Sequence, residues 1–210
     1  MKTLIAVFAS GTGSNFEVIA DAVQSGSLDA QIVALVCDRV DAPVIAKAKA
    51  RGIITLAVPV ASGQTRAAHE EEILKQLLPH TPRFAVLAGY MRILSPVFLK
   101  EFDSGHGYFR VTNIHPSLLP AFPGVDGYGQ AFNYGASVSG CTVHLVDQGI
   151  DSGPICAQSS FSISDCVIGD DVRSRGLTME HRLYPETLQW LLKEKFAVVK
   201  REGRICVLPN

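Results

Sequence analysis

The stretch NIHP sets an amide and an imidazole two positions apart, Asn113 and His115, at the end of the apolar and β-branched run FRVTNI. In a strand, residues i and i+2 share a face, so the two side chains project side by side, and Pro116 ends the strand. An amide N–H and an imidazole held together in this way can donate hydrogen bonds to an oxygen on which charge develops, and the imidazole can also carry a proton. Downstream, DQGIDSGP places Asp147 and Asp151 in a glycine-containing loop after another strand. A carboxylate beside a histidine fixes its tautomer and favours its cationic form. Upstream, SGTGSN, Ser10 to Asn15, follows the first apolar run and opens a helical one, so its backbone N–H groups and the helix dipole suit a phosphate. The dinucleotide fingerprint fails at Phe16, where a third glycine belongs, and the Lys-Ser/Thr of a P-loop is missing, so a monophosphate cradle fits better. Each motif also has a plainer reading. Ser10 and Asn15 can simply satisfy a helix end. Asn113 and His115 can bond to loop backbone, and His144, in the middle of TVHLV, reads as a packed strand residue.

These residues need a scaffold. Apolar β-rich runs alternate with helical patterns: TLIAVFA then Asn15–Gln24, AQIVALVC then Pro43–Arg51, GIITLAVPV then Arg66–Leu78, RFAVLAG then Ser95–Phe102. The alternation predicts an α/β fold, a doubly wound and mostly parallel sheet with crossover helices. Ligands of such sheets bind outside the carboxyl ends of the strands, where both SGTGSN and NIHP fall. Residues 121–135, rich in glycine and aromatics, read as loops around one short helix. Two further strands, GCTVHLVD and PICAQSSFSI, then a long helix near Asp171–Lys195 and a hairpin turning at Glu202-Gly203, form an antiparallel C-terminal portion.

The 210 residues, 47% of them hydrophobic, suffice for one good core, so a single domain over 1–210 is expected. A formal net charge of −1 provides no basic field to collect nucleic acid, which leaves small molecules as the expected partners. Five scattered cysteines show neither a C-x-x-C pair nor metal-ligand spacing, and fit free thiols in a reducing cytoplasm. No run approaches the ~18 apolar residues of a membrane span. The opening MKTLIAVFASG has only a minimal apolar core for a signal peptide, so it reads as the first strand.

Taken together and in order, SGTGSN, LAGYMRIL, NIHPSLLP, DQGIDSGP and EHRLYP resemble the phosphoribosylglycinamide formyltransferases of purine biosynthesis, within the folate-dependent formyltransferase family. The resemblance implies a Rossmann-like formyltransferase fold. It also implies transfer of a formyl group from 10-formyltetrahydrofolate, a co-substrate, to the amine of glycinamide ribonucleotide, with no metal required. It makes Asn113, His115 and Asp151 the catalytic set, and Gly13, Ser14 and Asn15 the holders of the ribonucleotide phosphate. Glu180 falls near the glycinamide amine. Arg66, Met91, Arg92, Ile93 and Leu94, together with Asn113, line the folate pocket. A homodimer is one expectation for the assembly. Hydrolysis of formylfolate, and a non-catalytic binder of a phosphorylated metabolite, are the competing readings. The chain departs from the family at Gly124-Val125-Asp126, where Gly-(apolar)-His is usual, and in SGHGYFR, which is longer than usual. Asp126, flanked by glycine at 127, reads as a turn residue facing solvent, the competing reading being that it faces the site and adds its charge to that of Asp151 beside His115.

Overall fold

The first run is apolar on both faces because both faces are covered: Ile5, Ala6, Val7 and Phe8 are all fully buried. The structure, a computed structural model, describes residues 2–209. The chain forms two compact units that meet in sequence after Thr112.

In the first unit, β1 (Thr3–Phe8), β2 (Ala30–Cys37), β3 (Thr55–Ala57) and β4 (Phe84–Leu87) alternate with α1 (Ser14–Ser25), α2 (Pro43–Ala50), α3 (Arg66–Leu77) and α4 (Pro96–Glu101). Strand β1 pairs in parallel with β2 on one side and β4 on the other, and β2 pairs in parallel with β3. Local punctuation marks the helix starts. Pro43 occupies the first turn of α2, the Thr65 hydroxyl caps α3 through Ala68 N–H at 3.2 Å, and Ser95 caps α4 through Phe98 N–H at 3.4 Å. The run GIITLAVPV gives only a three-residue strand. Val58 N–H still bonds Cys37 carbonyl at 2.8 Å, but Pro59 has no N–H to continue the ladder.

The second unit holds the end of β5 (Val111–His115), then α5 (Gly127–Tyr134), β6 (Val138–Leu145), β7 (Ile155–Ser162), α6 (Gly169–Leu191), β8 (Phe196–Arg201) and β9 (Arg204–Pro209). Strands β6 and β7 are antiparallel, and β8 and β9 form a separate two-stranded sheet. Glu202 and Gly203 both take positive φ, 47° and 85°, as a two-residue hairpin turn requires. Helix α6 starts two residues before the expected Asp171, because that carboxylate reaches back to Val167 and Ile168 N–H, at 3.2 and 3.4 Å, and so sits inside the first turn. It also stops short of Lys195, the chain turning through Glu194 at φ 53°.

Strand order is β3-β2-β1-β4-β5-β6-β7, a mostly parallel seven-stranded sheet of the expected doubly wound class. Among the described residues no helix is long and apolar enough to cross a membrane.

Candidate active site

Strand geometry puts Asn113 and His115 on one face at the end of β5, and the second unit brings Asp151 and His144 to them. Asp151 Oδ2 lies 3.3 Å from His115 Nδ1, and the two side chains are 15% and 4% exposed. The other imidazole nitrogen, His115 Nε2, is 2.9 Å from the Phe122 carbonyl oxygen. Both ring nitrogens thus face acceptors, an environment that an imidazolium satisfies completely.

His144, read from sequence as a packed strand residue, belongs to this cluster. Its Nδ1 is 2.9 Å from the Leu145 carbonyl oxygen and carries the proton there, so Nε2 accepts from the Asn113 amide at 3.3 Å. Burial lowers the His144 pKa from its ordinary value and outweighs the opposing pull of the Leu145 carbonyl and Asp151. A neutral His144 fits the 3.7 Å separation between its Nε2 and Asp151 Oδ1, which is beyond hydrogen-bond range. The bond also settles which end of the Asn113 amide faces His144: the NH2 group does, and one of its two hydrogens is left for another acceptor.

Two loops hold Asp151 and His115 in place. Asp147 Oδ1 accepts from Gly149 N–H at 3.0 Å and Ser152 Oγ at 2.7 Å, closing the turn that carries Asp151. Gly153 must lack a side chain because a Cβ there would come within 1.9 Å of the Leu145 carbonyl oxygen. Asp151 itself has φ 49°, and its Oδ2 also accepts from Gly124 N–H at 2.8 Å, tying the segment after Phe122 to the carboxylate. The SLLP turn is fixed by one hydroxyl. Thr142 Oγ1 donates to the Ser117 carbonyl at 2.7 Å and accepts from Leu119 N–H at 3.0 Å and Gln158 Nε2 at 2.9 Å.

In the first unit the glycine turn lies where the strand order reverses, between β1 and β4. Ser10 N–H bonds the Gly89 carbonyl at 3.1 Å, and Ser10 Oγ accepts from Met91 N–H at 3.0 Å, so SGTGSN and MRIL are neighbours. Gly13 is the N-cap of α1 at φ 74°, Ser14 begins the helix and Asn15 is buried. Of the MRIL residues, Met91 and Ile93 are exposed, Leu94 is buried, and Arg92 Nη1 stands 3.6 Å from Asp38. Arg66 opens α3, one turn before Glu70, whose buried carboxylate accepts from both the backbone N–H and the hydroxyl of Ser95. Arg66 is thereby on a helix fastened beside Leu94, with no bond to MRIL itself.

Glu180, in α6, is 6% exposed and accepts from the Tyr128 hydroxyl at 2.7 Å. Asp126 is exposed, as expected, and makes two contacts there. Its carboxylate caps α5 through Gly129 N–H at 3.1 Å and pairs with Arg173 at 2.8 Å.

A family model described as Formyl transferase matches residues 3–188. The chain belongs to the formyl transferase family. Among its formyl transferase relatives, the phosphoribosylglycinamide formyltransferase of Bacillus subtilis is 43% identical over 187 residues, covering 89% of this chain and 93% of that one. The Escherichia coli protein of the same name is 34% identical over 186 residues, covering 89% and 85%. The crystal structure of glycinamide ribonucleotide transformylase 1 from Symbiobacterium toebii superposes with a TM-score of 0.89 at 34% identity, covering 99% of this chain and 94% of that one. The formyl transferase match takes in residues of both units and ends before the β8–β9 hairpin.

Proposed function

We propose that this chain transfers the formyl group of 10-formyltetrahydrofolate to the amine of N1-(5-phosphoribosyl)glycinamide, a step of de novo purine synthesis. The observation that carries the reading is the cluster of Asn113, His115 and Asp151 at the end of β5, in a chain whose close relatives bear that enzyme's name.

In the proposed step the neutral amine attacks the formyl carbon and a new C–N bond forms. The tetrahedral oxyanion accepts from the second Asn113 amide hydrogen and from His115. As the bond to the folate nitrogen breaks, that nitrogen gains a proton and the attacking nitrogen loses one, with His115 or a water beside it as the carrier. In the free protein His115 Nε2 is held by the Phe122 carbonyl, so the substrate oxygen has to displace that carbonyl before His115 can serve. Asp151 faces Nδ1 and stabilises the cationic ring. His144 orients the Asn113 amide.

Gly13, Ser14 and Asn15 are assigned to the ribonucleotide phosphate, supported by a helix N-terminus at the sheet's switch point. Glu180 is assigned to the glycinamide end. Met91 to Leu94 and Arg66 are assigned to the folate. The reading further includes a single formyltransferase domain, small-molecule rather than nucleic-acid partners, a cytoplasmic setting that suits five free thiols, and a homodimer, which sedimentation of the pure protein would test.

The deciding experiment follows folate absorbance with and without glycinamide ribonucleotide. Turnover that requires the acceptor is the expected result. Turnover without it would mean hydrolysis, and silence in both would mean a binder.

A further inference from the structure

Tyr128 is a large polar side chain in the first turn of α5, 4% exposed, and none of the roles above uses it. It is built in with care. Gly127 lets that turn approach the Pro116 carbonyl, since a Cβ there would stand 2.5 Å from the oxygen. On α6, Gly176 forms a notch for the ring, and a Cβ at 176 would meet Tyr128 Cζ at 2.1 Å and its hydroxyl oxygen at 2.5 Å. Four residues along the same helix face is Glu180, whose Oε1 takes the Tyr128 hydroxyl bond at 2.7 Å. Phe161 closes the other side of the ring, with centroids 6.0 Å apart.

A glycine inside a long helix is unfavourable against alanine, and here it admits one phenol to one carboxylate. A buried carboxylate is stable as an anion only when donors meet it. Packing locks the Tyr128 ring, so its hydroxyl fixes the Glu180 rotamer and one oxygen's direction, while a carboxylate has capacity for further donors. Burial and the neighbouring Glu180 charge push the Tyr128 pKa up, which keeps the hydroxyl a donor.

We infer that Tyr128 is a positioning residue for the ribonucleotide: seated in the Gly176 notch, it holds Glu180 aimed to accept hydrogen bonds from the glycinamide end of the substrate. The inference rests on the assignment of Glu180 in the proposed function.

The test is steady-state kinetics of Tyr128→Phe, Glu180→Gln and the double variant, varying glycinamide ribonucleotide and 10-formyltetrahydrofolate separately. Tyr128→Phe keeps the ring and hence the packing. It is expected to raise KM for the ribonucleotide about five- to tenfold, with KM for the folate and kcat within about twofold of the parent. Glu180→Gln should raise the same KM, and the double variant should be no worse than Glu180→Gln alone, because the tyrosine acts through that carboxylate. If Glu180→Gln raises the ribonucleotide KM and Tyr128→Phe leaves it unchanged, the role of Tyr128 is overturned and that of Glu180 stands. If Glu180→Gln leaves it unchanged, both fall. Additive effects in the double variant, or a Tyr128→Phe loss spread over both KM values with a lowered melting temperature, would overturn the inference in favour of packing alone.

Discussion

At the scale of single residues, the proposed reaction places its developing charge on two side chains, Asn113 and His115, and a third, His144, bonds the amide of one of them. Asn113→Ala and His115→Ala are each expected to lower kcat by about 10²-fold or more with little change in KM, since both donate mainly to the transition state. Stopped-flow or steady-state rates check this, and near-normal kcat in either variant removes that residue from the oxyanion role. His144 makes a different claim, on stability. Its pKa is lowered in the fold, so its unfolded form binds protons more readily below about pH 6.5. The stabilisation is therefore fully present above that pH and is lost as pH falls toward and through the folded value. Urea unfolding between pH 8 and pH 5 should show wild type weakening on the acid side, and His144→Gln, which cannot titrate, weakening less. Equal slopes would mean that His144 is not kept neutral by the fold. Sequence reading missed His144 for a physical reason. A lone histidine in an apolar strand is ambiguous until one knows that β5 and β6 are neighbours, and its partner Asn113 is 31 residues away.

At the scale of elements, the strands and most helix starts were legible because apolar period and proline are local signals, whereas the strand order and the partners of turns were not. Asp126 looked like a solvent residue of an Asp-Gly bend and is exposed, but its roles as a helix cap and as the partner of Arg173, 47 residues on, were not legible. Gly13 looked like a phosphate-facing glycine, and it also touches α2, where a Cβ would stand 2.3 Å from Val44 Cγ2. A selective test of the turn therefore belongs at Gly11, where nothing lies within 4 Å of an added Cβ. Gly11→Ala is expected to weaken ribonucleotide binding several-fold in calorimetry with the melting temperature nearly unchanged, while Gly13→Val lowers the melting temperature itself. Equal melting losses would show that the turn is structural only. For the SLLP turn, Thr142→Val removes one oxygen and strands the Ser117 carbonyl, Leu119 N–H and a Gln158 hydrogen. The expected cost is about 2–3 kcal/mol in urea unfolding, accompanied by a fall in kcat, because the same turn leads to the carbonyl that faces His115. A variant as stable as wild type would show that the three groups find other partners.

At the scale of the whole molecule, the boundary between the two compact units falls inside β5, with Val111 and Thr112 on one side and Asn113 to His115 on the other. The boundary cuts one strand rather than a loop, so we expect one cooperative unfolding transition. The buried free cysteines turn that expectation into a measurement. Cys37 lies in the first unit and Cys141 and Cys156 in the second, all three buried, and burial pushes the Cys141 and Cys156 thiols up to about 12. Only thiolate reacts with an alkylating agent, so each buried sulfur is silent until its surroundings open. Cys166 and Cys206 are less buried and serve as fast internal standards. Pulsed alkylation read by mass spectrometry at rising urea should give Cys37 and Cys141 the same opening free energy, and a difference of more than about 1 kcal/mol would mean that the two units unfold separately. The scattered thiols, which take no part in the proposed chemistry, thus form a set of clocks that times the opening of each half of the molecule without a single engineered label.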